Sequence, residues 1–159
     1  MEKELVRDFA VRVAGASKTE LIVIMYDVIL ADLASARKAE AEKDFETFEK
    51  EMEHAKKFVV ELIGCLNLEY AISYELLNLY RFAHKQLVRA GLRRNSETLD
   101  SVEEIIGGLR ASFHTLSKSD ASGPVMQNAQ QLYAGLTYSK GSLNESMIDP
   151  YVTSRGYTI

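Results

Sequence analysis

The chain has 159 residues, a length that suits one domain with a sizeable hydrophobic core. Hydrophobic residues make up 47% and charged residues 26%, values that argue against a wholly disordered chain. The formal net charge of -4 argues against a nucleic-acid-binding protein, because such proteins normally carry a basic surplus. Both prolines, Pro124 and Pro150, come late, so the strongest helix breaker is absent from the sequence before them.

Membrane and redox signals are also missing from the sequence. The first residues lack the long apolar core of a signal peptide, and the most apolar run, Leu21–Ala34, contains two aspartates and is too short to span a bilayer. Cys65 is the only cysteine, so an intramolecular disulfide is impossible, and its apolar neighbours predict a small core residue. We therefore expect a cytoplasmic protein without membrane insertion.

Two helices are predicted at the start of the chain. A short one before Gly15 carries Leu5, Phe9 and Val13 and is expected to pack on the outside of the rest. The next begins at a capping box, in which Ser17 and Glu20 exchange side-chain-to-backbone hydrogen bonds. Apolar residues nearly surround this second helix, which predicts a central, buried position. Its main stripe consists of Ile22, Met25, Ile29, Leu33 and Ala36.

Two further long helices follow. Asp44 is suited to cap the first of them, and Gly91 to end the second, which runs from Tyr70 to Ala90. The break near Asn67 is weakly signalled, and one continuous helix is the alternative. The inward seam of the first consists of Phe48, Met52, Ala55, Val59, Leu62 and Leu66. That of the second consists of Ile72, Leu76, Leu79, Ala83 and Leu87.

Asn95–Ser96 offers an N-cap for a last long helix. Its apolar positions alternate by three and four residues: Leu99, Val102, Ile106, Leu109, Phe113 and Leu116. Four amphipathic helices with short connections predict an all-α fold, an antiparallel four-helix bundle over residues 1–118. Residues 119–159 are predicted to be a linker and a C-terminal extension, in which Val125–Leu136 forms one short helix.

The sequence offers little catalytic chemistry. Glu51 and His54 form a Glu-x-x-His pair, half of the ligand set of a di-iron bundle, but the second pair is missing. Gly-rich phosphate loops, Cys/His metal spacings and nucleophile elbows are absent too. We therefore expect a non-enzymatic protein without metal or cofactor. The alternative of a metal–carboxylate enzyme would be revealed by a stoichiometric amount of transition metal in the purified protein.

Some residues allow two interpretations. Gly107–Gly108 interrupt the last helix, either because two helices cross closely there or because a partner backbone approaches a notch. Tyr26 and Tyr80 are either core residues or line a groove, and a buried hydroxyl would need a partner such as Asp27 or Asp32. A basic cluster is expected to complement the dipole at a helix C-terminus. It consists of Lys85, Arg89, Arg93 and Arg94.

Residues 17–27, 76–82 and 109–113 each contain a short motif, and together they resemble the FliS family of flagellin export chaperones. Ser17–Asp27 is similar to the family's opening Ser-Pro-x-Glu-Leu motif and its Leu-Tyr-Asp-like end, with Lys18 in place of the proline. Leu76–Phe82 resembles the Leu-x-x-x-Tyr block of the third bundle helix. Leu109–Phe113 resembles a late Leu-Arg-x-x-Trp segment, with phenylalanine in place of tryptophan. The order and spacing of the three blocks fit the family over about residues 5 to 118.

The resemblance also has departures. The tyrosine-containing N-terminal segment common in the family is missing, and Phe9 lies near the expected place. The tail after Gly123 is longer than that of the shortest family members.

The resemblance implies binding of the disordered, amphipathic C-terminal segment of flagellin, which prevents premature polymerisation and assists secretion. Other flagellar regulators or export components are further expected partners, and the protein is expected to be a monomer or homodimer. The alternative is a divergent assembly or regulatory adaptor with the same fold and another client. We also predict that Val125–Leu136 occupies part of the client groove. The expected groove or groove-supporting residues are Ile22, Tyr26, Ile29, Leu33, Tyr80 and Phe113.

Overall fold

The computed structural model describes residues 3–126, whose regular secondary structure is five α-helices. They are α1 (Lys3–Gly15), α2 (Lys18–Ala41), α3 (Phe45–Gly64), α4 (Ala71–Arg93) and α5 (Leu99–Ser117). The predicted all-α class is therefore confirmed, as is the break between α3 and α4. Among these residues, no helix combines the length and the apolar character needed to cross a membrane.

The two predicted N-caps at the start of α2 and α3 are present. The Ser17 hydroxyl accepts the Glu20 N–H at 3.2 Å, and the Asp44 carboxylate accepts the Thr47 N–H at 3.1 Å. Each bond satisfies an amide that the first helical turn leaves without a partner. The Glu20 carboxylate, predicted to return to Ser17, instead accepts a hydrogen bond from Arg12 of α1 at 2.8 Å.

The predicted end of α4 and start of α5 were wrong. Helix α4 continues through Gly91 to Arg93 and ends where Arg94 adopts a left-handed conformation, with φ of 52°. Helix α5 starts at Leu99, because tertiary contacts hold the residues before it: the Ser96 N–H donates to the Glu40 carboxylate at 3.1 Å. At the start of α5, a hydrogen bond between residues distant in the chain therefore overrides the N-cap that the local sequence predicted.

The four long helices pack as a bundle in which α2 and α4 each contact both α3 and α5. Helix α2 contacts α3 and α5 most extensively, and α4 contacts the same two helices. Helices α2 and α5 run in opposite directions, because Arg37 near the end of α2 pairs with Asp100 at the start of α5 (2.6 Å). Farther along, Asp27 of α2 pairs with Arg110 of α5 at 2.5 Å.

Helix α1 packs on the outer face of α2, as predicted. Phe9 and Val13 rest on a small apolar cluster formed by Ala16, Ile24 and Val28.

Arg12 of α1 strengthens this attachment. Its guanidinium contacts Glu20 at 2.8 Å and Asp27 at 2.6 Å. Since Asp27 also binds Arg110, one carboxylate joins α1, α2 and α5.

The segment after α5 returns to the start of α2. The Asp120 carboxylate accepts the N–H groups of Thr19 (3.2 Å) and Ser122 (3.0 Å), and these bonds lower the pKa of Asp120. The Val125 N–H then donates to the Ala16 carbonyl at 3.0 Å. The predicted helix at 125–136 lies almost entirely outside the described residues, and the division into residues 1–118 and 119–159 stays a prediction.

Two tyrosines meet in the middle of the core. The hydroxyls of Tyr26 and Tyr80 lie 2.5 Å apart, and both side chains are at most 1% exposed. The predicted hydroxyl partners, Asp27 and Asp32, were wrong, because Asp27 pairs with Arg12 and Arg110 and Asp32 binds the His54 imidazole. Burial raises the pKa of both tyrosines, so the pair is uncharged.

Replacing Tyr80 by Phe should destabilise the fold by about 1–3 kcal/mol, because the buried Tyr26 hydroxyl loses its partner. The double variant Y26F/Y80F should lose less than the sum of the two single variants, since it leaves no orphaned hydroxyl. Urea unfolding of the three variants tests this. Strictly additive losses would show that the two hydroxyls do not interact.

Candidate functional site

Three apolar side chains that the seam pattern placed inward are exposed, which corrects the sequence prediction. Ile72 and Leu79 of α4 are 57% and 37% exposed, and Leu116 of α5 is 56% exposed. In α4 the predicted inward residues Ala83 and Leu87 are buried, but Ser73 and Tyr80 are buried in place of their neighbours Ile72 and Leu79. Tyr80 takes the core position because its hydroxyl meets that of Tyr26.

Helix geometry places these side chains on neighbouring flanks of α4 and α5. Asp100 and Arg110 mark the side of α5 that faces α2, since both pair with α2 residues. At 3.6 residues per turn, Leu109 and Leu116 project from the opposite flank, toward α4.

Tyr26 contacts both α4 and α5 and so shows which residues of the two helices lie at the same height along the bundle. Its hydroxyl binds that of Tyr80 in α4, and its ring lies edge-on to Phe113 of α5, with centroids 5.6 Å apart. Phe113 is only partly buried against the core. The exposed residues near Tyr80 and near Phe113 therefore lie at the same height along the bundle.

We call this region the α4–α5 surface. It consists of Ile72, Leu79 and Phe82 of α4 and Leu109, Phe113 and Leu116 of α5. Among the neighbouring pairs of long helices, α4 and α5 contact each other least. An apolar surface between two helices can bind an amphipathic helix, whose apolar face would complete the packing.

The six residues predicted to bind a partner are distributed between core and surface. Four of them, Tyr26, Ile29, Leu33 and Tyr80, are at most 1% exposed, so in this state they can only support a binding surface from below. Ile22 and Phe113 are partly buried against the same core, and of the six only Phe113 belongs to the α4–α5 surface.

Sequence reasoning missed Ile72, Leu79, Phe82 and Leu116 as surface residues. The sequence signal for these residues was their apolar periodicity, and that periodicity placed Ile72, Leu79 and Leu116 in the core.

Gly107–Gly108 lie in α5 without close neighbours. A Cβ built on either glycine would meet no atom within 4 Å, apart from the helix's own nearby backbone. The predicted close helix crossing was therefore wrong, and the alternative of a notch for a partner stays a prediction.

Cys65, expected in the core, is also exposed, because it caps the end of α3 where the chain leaves the bundle.

Glu51 and His54, the residues of the incomplete metal motif, both contact Asp32 of α2, and Asp32 and Glu51 form a buried acidic pair. Asp32 is fully buried, and the His54 imidazole lies with Nδ1 at 2.8 and 3.0 Å from the two Asp32 carboxylate oxygens. Glu51, only 7% exposed, hydrogen-bonds to Asp32. Within residues 3–126, no three His, Cys, Asp or Glu side chains are grouped so as to hold a metal ion.

Burial and the neighbouring Glu51 raise the pKa of Asp32 to about 8. Burial also lowers the pKa of His54, so that at neutral pH the fold favours a protonated Asp32 and a neutral imidazole. A cavity of about 420 Å³ with mainly apolar walls, including Phe9 and Phe58, adjoins His54 and Glu51.

The stability of the protein should therefore fall between about pH 6.5 and pH 8.5. The folded-state pKa of Asp32 lies above its unfolded value, so its contribution is complete at low pH and is lost as the pH rises through about 8. His54, whose pKa is lowered by burial, opposes this trend only in part near its unfolded-state pKa of about 6.5 and is neutral in both states above about pH 7.5. Asp32→Asn should remove the loss, because a neutral amide can replace the protonated carboxyl.

Urea unfolding of the wild type and of D32N at both pH values tests this. If D32N were the less stable protein at pH 8.5, Asp32 would instead act as an anion paired with a charged His54.

A helical bundle with an exposed apolar surface is typical of domains that bind other proteins. Comparison with protein-family models agrees: the model for flagellar protein FliS matches residues 2–120. The chain belongs to the FliS family, whose members are flagellar export chaperones rather than enzymes. A comparison with curated proteins found no significant match. The family match ends at Asp120, where the chain is tethered to α2.

Proposed function

We propose that this protein is a cytoplasmic export chaperone that binds the disordered, amphipathic C-terminal segment of flagellin and assists its secretion. The observation that carries the proposal is the exposure of Ile72, Leu79 and Leu116. These residues follow the apolar rhythm of a helix seam, yet residues 3–126 supply no helix to cover them. A client helix would take that place and, while bound, could not join other flagellin chains.

The expected affinity comes from apolar burial. Fully burying a Leu, Ile or Phe side chain contributes roughly 1.5–3 kcal/mol, and the α4–α5 surface offers several that are partly exposed. A disordered client loses conformational entropy when it becomes ordered, which offsets much of this gain. A contact spread over several helical turns therefore fits better than a single deep pocket.

In this proposal, helices α2 to α5 form the antiparallel four-helix bundle expected of the sequence, and the client adds a further helix beside α4 and α5. Tyr26, Ile29 and Leu33 of α2 then act indirectly. They form the core that holds Tyr80 and Phe113 at the same level. Their role is to position the surface, while the residues exposed on it contact the client.

An adaptor with the same surface and another flagellar client remains the alternative. The observation that favours it is the length of chain beyond the family match, residues 121–159. A second copy of this chain could also cover an apolar surface, and sedimentation of the free protein at increasing concentration would detect such a dimer. An adaptor for another client and a stable dimer that covers this surface both predict that flagellin shows no saturable binding.

Calorimetric titration of the full chain with a peptide from the C-terminal segment of its own organism's flagellin tests the proposal. Saturable binding near one-to-one is expected, with a negative heat-capacity change from apolar burial. Leu79→Gln with Phe82→Gln should weaken binding at least tenfold, about 1.4 kcal/mol, while the protein stays folded, since each side chain is more than a third exposed and lies outside the central core.

Val60→Gln is the matched control, because Val60 is 52% exposed on α3, outside the α4–α5 surface. It should bind like the wild type. Equal weakening by Val60→Gln would place the client elsewhere, and failure of the wild type to bind would favour the adaptor.

A further inference from the structure

The α4–α5 surface continues into a row of positive charges. Phe82, Lys85 and Arg89 follow one another at three- and four-residue spacing on α4, and Arg93 extends the row by one more turn. The three cations are exposed. We call Lys85, Arg89 and Arg93 the basic strip. Phe82 thus belongs to the α4–α5 surface and also begins the row that continues through these cations.

The helix dipole accounts for only part of this strip. Its effect is confined to the last turn, and α4 ends at Arg93, so Lys85 and Arg89 lie beyond its reach. Arg94, the fourth cation of the predicted cluster, pairs with Glu49 at 2.7 Å and belongs to the fold.

Among residues 3–126 the basic strip also lacks acidic ion-pair partners. None of the ion pairs among residues 3–126 includes Lys85, Arg89 or Arg93. In the part of the chain that the structure describes, Arg89 donates a 3.5 Å hydrogen bond to Gln86, whose oxygen is uncharged. In a protein with a net charge of -4, three unpaired cations in one row are available for an external acidic group.

We propose that the client helix carries carboxylates beyond its apolar anchor residues and that these pair with Lys85 and Arg89. This inference rests on the proposed function and adds the direction in which the client lies. Leu79 and Arg89 are ten residues apart, which corresponds to about 15 Å along α4. Lys85 is six residues from Leu79, about 9 Å, so the client's acidic residues lie roughly two to three helical turns from the side chain that packs on Leu79.

Charge complementarity of this kind sets orientation and association rate more than total affinity. Reversing the client on the surface would bring its carboxylates next to Ile72 and leave its apolar residues beside the cations. Because the basic strip is exposed, its contribution should weaken as salt increases.

Charge reversal in the full chain tests the inference. K85E/R89E should weaken binding of the flagellin C-terminal peptide at least tenfold at low salt and reduce the salt dependence of the affinity. The control R7E/K57E makes the same change in net charge with exposed cations on α1 and α3 that have no ion pair among residues 3–126. It should bind nearly as the wild type does.

A second peptide, with its Asp and Glu residues replaced by Lys, distinguishes pairing from a general charge effect. It should bind the wild type poorly and K85E/R89E better. Equal behaviour of the two reversal variants, or no recovery with the Lys peptide, would overturn the inference while leaving the proposed function in place. Failure of the wild type to bind the natural peptide would overturn both.

Discussion

The hydrogen bond between the hydroxyls of Tyr26 and Tyr80 is the constraint on which the rest of the bundle depends. It joins α2 and α4 across the core, between residues that are far apart in the chain. A buried hydroxyl without a partner would be costly, so α4 must turn until Tyr80 faces Tyr26. With Tyr80 in the core, Leu79 is left partly exposed, while Ala83 and Leu87 keep the buried positions predicted from the sequence.

Part of the α4–α5 surface follows from this orientation. With Tyr80 buried, Leu79 stays 37% exposed at the edge of the core, while Ile72 in the first turn of α4 and Leu116 in the last turn of α5 are more than half exposed at the same end of the bundle. The isolated chain thus keeps a stable core and an incomplete apolar seam together. This combination suits a chaperone, which must remain folded alone and still bind an unfolded client.

Much of the fold could be predicted because its signals are local. The caps at Ser17 and Asp44 need only the residues three positions later, and the apolar stripe of α2 appears directly in its sequence. The short α1 and its packing through Phe9 were also accessible in this way.

The predictions were wrong where contacts between residues far apart in the chain determine the structure. A periodicity argument prefers Leu79 over Tyr80 for the core, because it counts apolar character and cannot know that Tyr26 offers a hydroxyl. The start of α5 was misplaced for a similar reason, since Glu40 engages Ser96. The candidate surface was therefore missed as a surface, although its residues had been recognised as a seam.

The most direct test of this account is methyl-resolved NMR of the full chain bound to the flagellin C-terminal segment. Contacts from the client to the methyl groups of Ile72, Leu79 and Leu116 are expected, together with unchanged signals from Val6 and Val60, which are also exposed but lie on α1 and α3. Contacts confined to Val6 or Val60, with Ile72 and Leu79 unaffected, would contradict the assignment of the α4–α5 surface as the client site.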